Sequence, residues 1–178
     1  LGSVVREIRS RKAPGLDGIT GSVVKEFFKA APDFLMALMR RCLDDGVFPA
    51  SWKVAKVVTL LKATDKPKDL AKSYRPIYLL LAWGKILEKI MVRRLSEDCA
   101  DANSQISPMQ FGFTTGKSTV DAWLKVVEYV RQSTSKYVLG LFVDFTGAFD
   151  NISWDAILRR LVEIGARDLG LWNSYFRD

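Results

Sequence analysis

The chain has 178 residues and a net charge of +7, with 48% hydrophobic and 26% charged residues, values typical of a globular domain rather than a disordered chain. It has no histidine, which excludes a Ser-His-Asp triad and histidine-ligated zinc. Its cysteines, Cys42 and Cys99, lie too far apart for a zinc knuckle or a disulfide scaffold. No apolar run approaches the roughly 20 residues that span a bilayer, and we expect an intracellular protein without membrane contact.

The first third of the chain predicts helices separated by turn residues. A short helix over 3–10 is expected to end before the Pro- and Gly-rich turn at 13–18. Thr20 or Ser22 is a candidate N-cap for the next helix. Pro32 begins a third helix, whose apolar residues recur at helical spacing until Gly46.

The middle of the chain predicts strands and then further helices. Residues 54–61 are rich in valine and read as a strand, and a short apolar run follows at 77–81. An amphipathic helix is expected over 86–95 and another over 118–131, with a polar loop between them. In the second helix we expect an inward-facing apolar set: Val120, Trp123, Leu124, Val127 and Val130.

Residues 137–145 form the clearest predicted strand, because both alternating faces are largely apolar. That pattern predicts a central strand covered on both sides. Helices are expected from 154 to 161 and again up to 176. The predicted fold class is therefore α+β, helix-rich with a small antiparallel sheet.

Asp144 is the most informative acidic residue, since it stands at the end of this apolar run. A carboxylate there is costly unless it is compensated, either by a divalent metal or by capping the strand end. Both interpretations stay open on the residues alone. Asp150 is interpreted either as a metal ligand or, more simply, as a carboxylate that caps backbone amides at the start of the next helix.

A basic segment between Lys53 and Arg75 holds seven cations and two acids, which amounts to +5 of the total charge. Such a concentration attracts phosphates, although the same lysines also suit a solvated loop. Arg75 differs because it precedes Pro76 and an apolar run. Its planar guanidinium is therefore expected beside ordered backbone, where it can contact a phosphate through two hydrogen bonds.

The string 116–119 (GKST) resembles the end of a nucleotide-binding phosphate loop. That motif requires a glycine five residues before Gly116, and Phe111 stands there instead. We therefore reject a nucleoside-triphosphatase. Ser118 or Thr119 is expected to cap the following helix, with Asp121 favourable in its first turn.

Taken in order, seven strings resemble the reverse transcriptase of a non-LTR (LINE-type) retrotransposon over nearly the whole chain. They are 13–19 (APGLDGI), 52–53 (WK), 60–62 (LLK), 74–77 (YRPI), 84–90 (GKILEKI), 110–113 (QFGF) and 142–150 (FVDFTGAFD). The resemblance implies a right-hand polymerase fold, with residues 1–113 mainly fingers and 114–178 the N-terminal part of the palm.

The same resemblance implies roles for individual residues. Asp144 matches the first catalytic aspartate, a ligand of Mg²⁺ (or Mn²⁺), and Phe145 adds its backbone carbonyl to that metal site. Arg75 and Lys62 match dNTP-binding residues of the fingers, and Phe149 matches the aromatic gate that excludes a ribose 2′-OH. The residues expected near nucleic acid are Asp17, Gly18, Gln110, Lys66, Lys68 and Lys72.

The resemblance further implies an RNA template, a DNA primer and dNTP as partners, and a location in the nucleus and cytoplasm. The family pattern continues with an aromatic-x-Asp-Asp turn, yet no Asp-Asp pair follows Asp144 here. One aspartate cannot hold two metal ions. We therefore expect a fragment that is inactive alone and whose open sheet edge beside 137–145 favours self-association. The alternative is a noncatalytic nucleic-acid-binding or assembly module derived from such an enzyme.

Overall fold

The computed structural model describes residues 1–62, 67–101, 107–145, 147–148 and 151–177. Helices dominate this part of the chain, and two strands form a small antiparallel sheet, so the α+β prediction is confirmed at that level. The elements are α1 (Gly2–Glu7), α2 (Gly21–Ala30), α3 (Pro32–Asp45), α4 (Ala50–Lys53), β1 (Lys56–Leu61), β2 (Tyr74–Leu79), α5 (Ala82–Asp101), α6 (Thr119–Gln132), α7 (Trp154–Glu163) and α8 (Leu169–Phe176).

The predicted helix signals act at the helix ends. The Thr20 side chain caps α2 by accepting a hydrogen bond from the Val23 amide. Helix α3 ends at Gly46, whose φ of 63° is the left-handed conformation that glycine adopts without strain. Ser118 and Asp121 form a reciprocal capping box at the start of α6, which confirms the capping function predicted for this string.

One core lies between the N-terminal helices, α5 and α8. Helix α1 packs on α2 and α5, α2 packs on α3, and α3 packs on α8. Burial of these apolar side chains is the main stabilising contribution to such a core. The most deeply buried side chains are Val4, Val5, Val24, Leu35, Ile86, Leu87, Met91 and Leu171.

Polar contacts fasten the C-terminal helix to the first third of the chain. The Phe48 amide donates to Ser174 Oγ at 2.9 Å, and Lys53 Nζ donates to the Ser174 carbonyl oxygen at 2.6 Å. Tyr175 donates its hydroxyl to Glu88 on α5 at 3.2 Å. Helix α8 therefore closes the core from the far end of the sequence.

The predicted strand at 137–145 is wrong. No residue of this segment is in a strand, and the side chains of Leu139 and Leu141 are 96% and 86% exposed. A strand needs a hydrogen-bonded neighbour, and β1 and β2 pair only with each other in the part of the chain that the structure describes. The apolar pattern therefore identifies a segment suited to burial, but it does not show which other segment would pack against it.

Helix α6 departs from prediction in the same way. Its bounds match the expected helix, yet none of its residues is buried and Trp123 is 61% exposed. Its apolar face is real, but it does not face the core.

Elsewhere, both cysteines are free. Among the described residues, no helix has the length and apolar character needed to cross a membrane.

Candidate functional site

The antiparallel register places Lys62 and Arg75 on the same face of the β1–β2 hairpin. Leu60 lies directly opposite Arg75, and the Lys62 amide donates to the Ser73 carbonyl oxygen at 2.8 Å. Pairing thus continues one residue beyond β1. Opposed residues share a face, so Lys62 is the diagonal neighbour of Arg75, a relationship that spans about 7–8 Å in antiparallel pairs.

Both side chains are exposed, and the remaining loop is organised by backbone contacts. Lys62 Nζ donates to the Lys72 carbonyl oxygen at 2.7 Å, and the Tyr74 hydroxyl donates to the Lys68 carbonyl oxygen at 2.9 Å. Within the described residues, the charged ends of Lys68, Lys72 and Arg75 form no ion pair. They therefore remain available for an anion. Lys66 lies outside the described residues.

Asp17 and Gly18 build a turn. The Asp17 carboxylate accepts a hydrogen bond from the Ile19 amide at 3.0 Å, and Gly18 has a φ of 69°. Such a side-chain-to-backbone bond is how aspartate stabilises turns. Both residues are exposed, so the turn also presents them to solvent.

Gln110 belongs to a loop that is held together by Lys117. The Gln110 side-chain amide donates to the Gly112 carbonyl oxygen at 2.8 Å. Lys117 Nζ donates to the carbonyl oxygens of Pro108 and Gln110 and lies 5.0 Å from the centre of the Phe111 ring. The lysine of the 116–119 string is thus occupied by its own loop.

Asp144 and Phe145 are adjacent and exposed, and they supply a carboxylate and a backbone carbonyl. Hard oxygen ligands of this kind suit Mg²⁺. In the described ranges, however, no three acidic or cysteine side chains come together, so the donors do not complete a metal site. Phe149 and Asp150 lie outside the described residues.

Among the described parts of the chain, no hydrogen bond or ion pair joins Asp144 to Lys62 or Arg75. The predicted site residues therefore form two sets without a polar contact between them, one on the hairpin and one in the exposed segment after α6.

An open groove of about 860 Å³ beside the hairpin was not predicted from the sequence. It lies between the end of α1, the 13–15 turn, the end of β2 and the first half of α5. Three of its cations, Lys85, Lys89 and Arg93, follow each other at four-residue spacing along α5. That spacing puts them on one helix face and is the sequence signal by which they could have been found.

The sequence is similar to known proteins over most of its length. Residues 63–177 match the model of the family described as reverse transcriptase (RNA-dependent DNA polymerase). The chain is 48% identical over 97% of its length to the putative 115 kDa protein in type-1 retrotransposable element R1DM of Drosophila melanogaster, covering 16% of that protein.

Two further relatives show the same relationship. Identity is 47% over 97% of the chain with the retrovirus-related Pol polyprotein from type-1 retrotransposable element R1 of Bradysia coprophila, covering 17% of that protein. It is 32% over 84% of the chain with the RNA-directed DNA polymerase from mobile element jockey of Drosophila melanogaster, covering 16% of it. The chain thus spans about a sixth of the length of these relatives.

Proposed function

Because this chain belongs to the reverse transcriptase (RNA-dependent DNA polymerase) family of non-LTR retrotransposons, we propose that it is the part of such a polymerase that receives the incoming dNTP. Residues 1–113 serve mainly as fingers and 114–178 as the beginning of the palm. The observation that carries the proposal is the shared hairpin face of Lys62 and Arg75.

The chemistry of that face suits a triphosphate. Arg75 offers a planar fork of donors that can bind two phosphate oxygens, and Lys62 adds a compact positive charge beside it. The hairpin side chains around them are mostly exposed, so a nucleotide can reach both groups from solvent.

Asp144 supplies a metal ligand in this proposal. Mg²⁺, or Mn²⁺ in its place, would bring nucleophile activation and charge neutralisation when bound. The Asp144 carboxylate and the Phe145 carbonyl oxygen would each contribute one ligand to it, and Phe149 would exclude a ribose 2′-OH. Because a single carboxylate is too few for two metal ions, the 178-residue chain by itself is expected to be inactive.

Binding of mant-dATP to the chain tests the hairpin assignment. Arg75→Ala should weaken binding about 10- to 100-fold, since hydrogen bonds to charged groups contribute about 1.5–3 kcal/mol. Arg159→Ala is the matched control, because Arg159 is an exposed arginine on α7, a helix that packs on α8. Equal affinities of the two variants would refute the assignment.

Primer extension tests the catalytic part. The chain should incorporate no nucleotide on an RNA template with a DNA primer and Mg²⁺ or Mn²⁺, and robust incorporation would refute its inactivity. In a longer protein that carries an Asp-Asp motif downstream, Asp144→Ala should abolish extension and preserve RNA binding. Undiminished extension would instead favour the noncatalytic module as the function of this segment.

A further inference from the structure

We propose that Lys53 is a positioning residue for the dNTP-binding face, because it fixes the base of the β1–β2 hairpin to the end of α8. The inference rests on the proposed function, since what Lys53 controls is the orientation of Arg75. Lys53 belongs to the string at 52–53, to which the proposed function gives no role.

The hairpin is held at its base rather than along its length. No residue of β1 or β2 is buried, so the strands are not anchored in the core by their own side chains. An isolated two-stranded hairpin is only marginally stable in water. Its orientation therefore depends on the segments that enter and leave it, and β1 is preceded by α4, which ends at Lys53.

Helix α4 is attached to two other helices. It packs on α5, where a Cβ atom at Gly84 would lie 3.1 Å from both Cβ and the carbonyl oxygen of Trp52. At the end of α4, Lys53 Nζ donates to the Ser174 carbonyl oxygen at 2.6 Å and to the Arg177 carbonyl oxygen. The base of the hairpin is thus joined to α5 by packing and to α8 by hydrogen bonds.

The end of α8 suits an ammonium group. The last four carbonyl groups of a helix lack a partner within it, and the helix dipole makes that end negative. The Ser174 carbonyl is one of these groups, and Arg177 follows α8 directly. Lys53 is half-buried and forms no ion pair among the described residues, so these two oxygens are the acceptors of its charge.

The distance from the base to Arg75 makes this attachment matter for the nucleotide. Arg75 pairs with Leu60, which lies four residues along β1 from Lys56. At about 3.4 Å per residue that separation is roughly 14 Å, so a rotation of about 5° at the base moves Arg75 by about 1 Å. A two-hydrogen-bond contact between a guanidinium and a phosphate requires alignment on this scale. Freedom at Lys53 therefore becomes loss of alignment at Arg75.

Binding of mant-dATP to variants of the chain tests the inference. Lys53→Met removes the charge and the donors, and it should weaken binding about 3- to 10-fold, which is part of the loss expected for Arg75→Ala. Lys53→Arg keeps the charge and the donors and should bind within about 2-fold of the unsubstituted chain. In the Arg75→Ala background, Lys53→Met should change the affinity by less than about 2-fold, because both substitutions remove the same contact.

Val24→Ala is the control for a loss of stability alone, since Val24 is fully buried on α2, which packs on α1 and α3. It should leave the affinity unchanged at a temperature at which every variant is folded by circular dichroism. If Lys53→Met does not fold, Lys53→Gln takes its place in each comparison.

Three results would overturn the inference: equal affinities of Lys53→Met and Val24→Ala, binding by Lys53→Arg as weak as that of Lys53→Met, or additive losses in the Lys53→Met/Arg75→Ala double variant. Normal binding by Arg75→Ala would refute the hairpin assignment and this inference with it. Normal binding by Lys53→Met, with weak binding by Arg75→Ala, would refute the inference alone.

Discussion

Replacing Gly15 by alanine tests how the 13–18 turn is attached to the end of β2. A Cβ atom at Gly15 would lie 2.8 Å from Leu81 Cδ2, 2.9 Å from the Leu81 amide nitrogen and 3.0 Å from the Leu80 carbonyl carbon. Carbon atoms in favourable contact are about 3.5–4.0 Å apart. Two of these neighbours are backbone atoms, so the turn itself must move away by roughly 0.5–1 Å.

Displacement of this size in a packed region costs about 1–3 kcal/mol. With an m-value of about 2 kcal/mol/M, Gly15→Ala should lower the urea midpoint by about 0.5–1.5 M.

Gly18 provides the contrast, since it has a φ of 69° and an added Cβ atom would have open space around it. There the cost of a side chain comes from conformation rather than collision, and asparagine tolerates that conformation better than alanine. Gly18→Asn should therefore be more stable than Gly18→Ala, whereas Gly15→Asn should be less stable than Gly15→Ala. A Gly15→Ala midpoint within 0.1 M of the unsubstituted chain, about the precision of the assay, would refute the proposed packing.

Two further predictions concern the core and the exposed helix. Burial raises the pKa of Tyr175 to about 12, with the nearby Glu88 carboxylate adding to the effect. The folded chain therefore keeps a proton that the unfolded chain loses near pH 10, so stability should fall between about pH 10 and 12. Urea titrations at these pH values should show that Tyr175→Phe abolishes this loss. An equally steep fall of the free energy of unfolding with pH in the variant would contradict the prediction. Leu87→Ala should cost about 2–5 kcal/mol, whereas Trp123→Ala on exposed α6 should cost less than about 0.5 kcal/mol by thermal unfolding; similar losses would show that α6 is packed.

Local signals in the sequence predicted the local structure well. The N-cap at Thr20, the terminating Gly46 and the capping box at Ser118 each act within one helical turn, so their chemistry is readable without the rest of the molecule. Burial is different, because periodicity identifies an apolar face and not the surface that covers it. This is why the faces predicted to be buried in α6 and at 137–145 are exposed.

For the candidate site too, the sequence predicted individual residues but not their arrangement in space. The sequence singled out Arg75 and Lys62 as phosphate-binding residues, but only the strand register places them on one face. The open groove beside the hairpin escaped prediction because its cations come from the loop after α1 and from α5, which are distant in sequence. The spacing of Lys85, Lys89 and Arg93 was visible, yet nothing in the sequence indicated what concavity they border.

The attachment of α8 affects how the chain folds during synthesis. Ser174 is hydrogen-bonded to Phe48 and Lys53 across 126 and 121 residues. The N-terminal helices therefore cannot make these contacts until the ribosome has synthesised the intervening segment. At the usual elongation rates the delay is on the order of ten seconds. A nascent chain stalled before residue 170 would leave the face of α3 that packs against α8 open to chaperones, and release from them would follow only when α8 emerges.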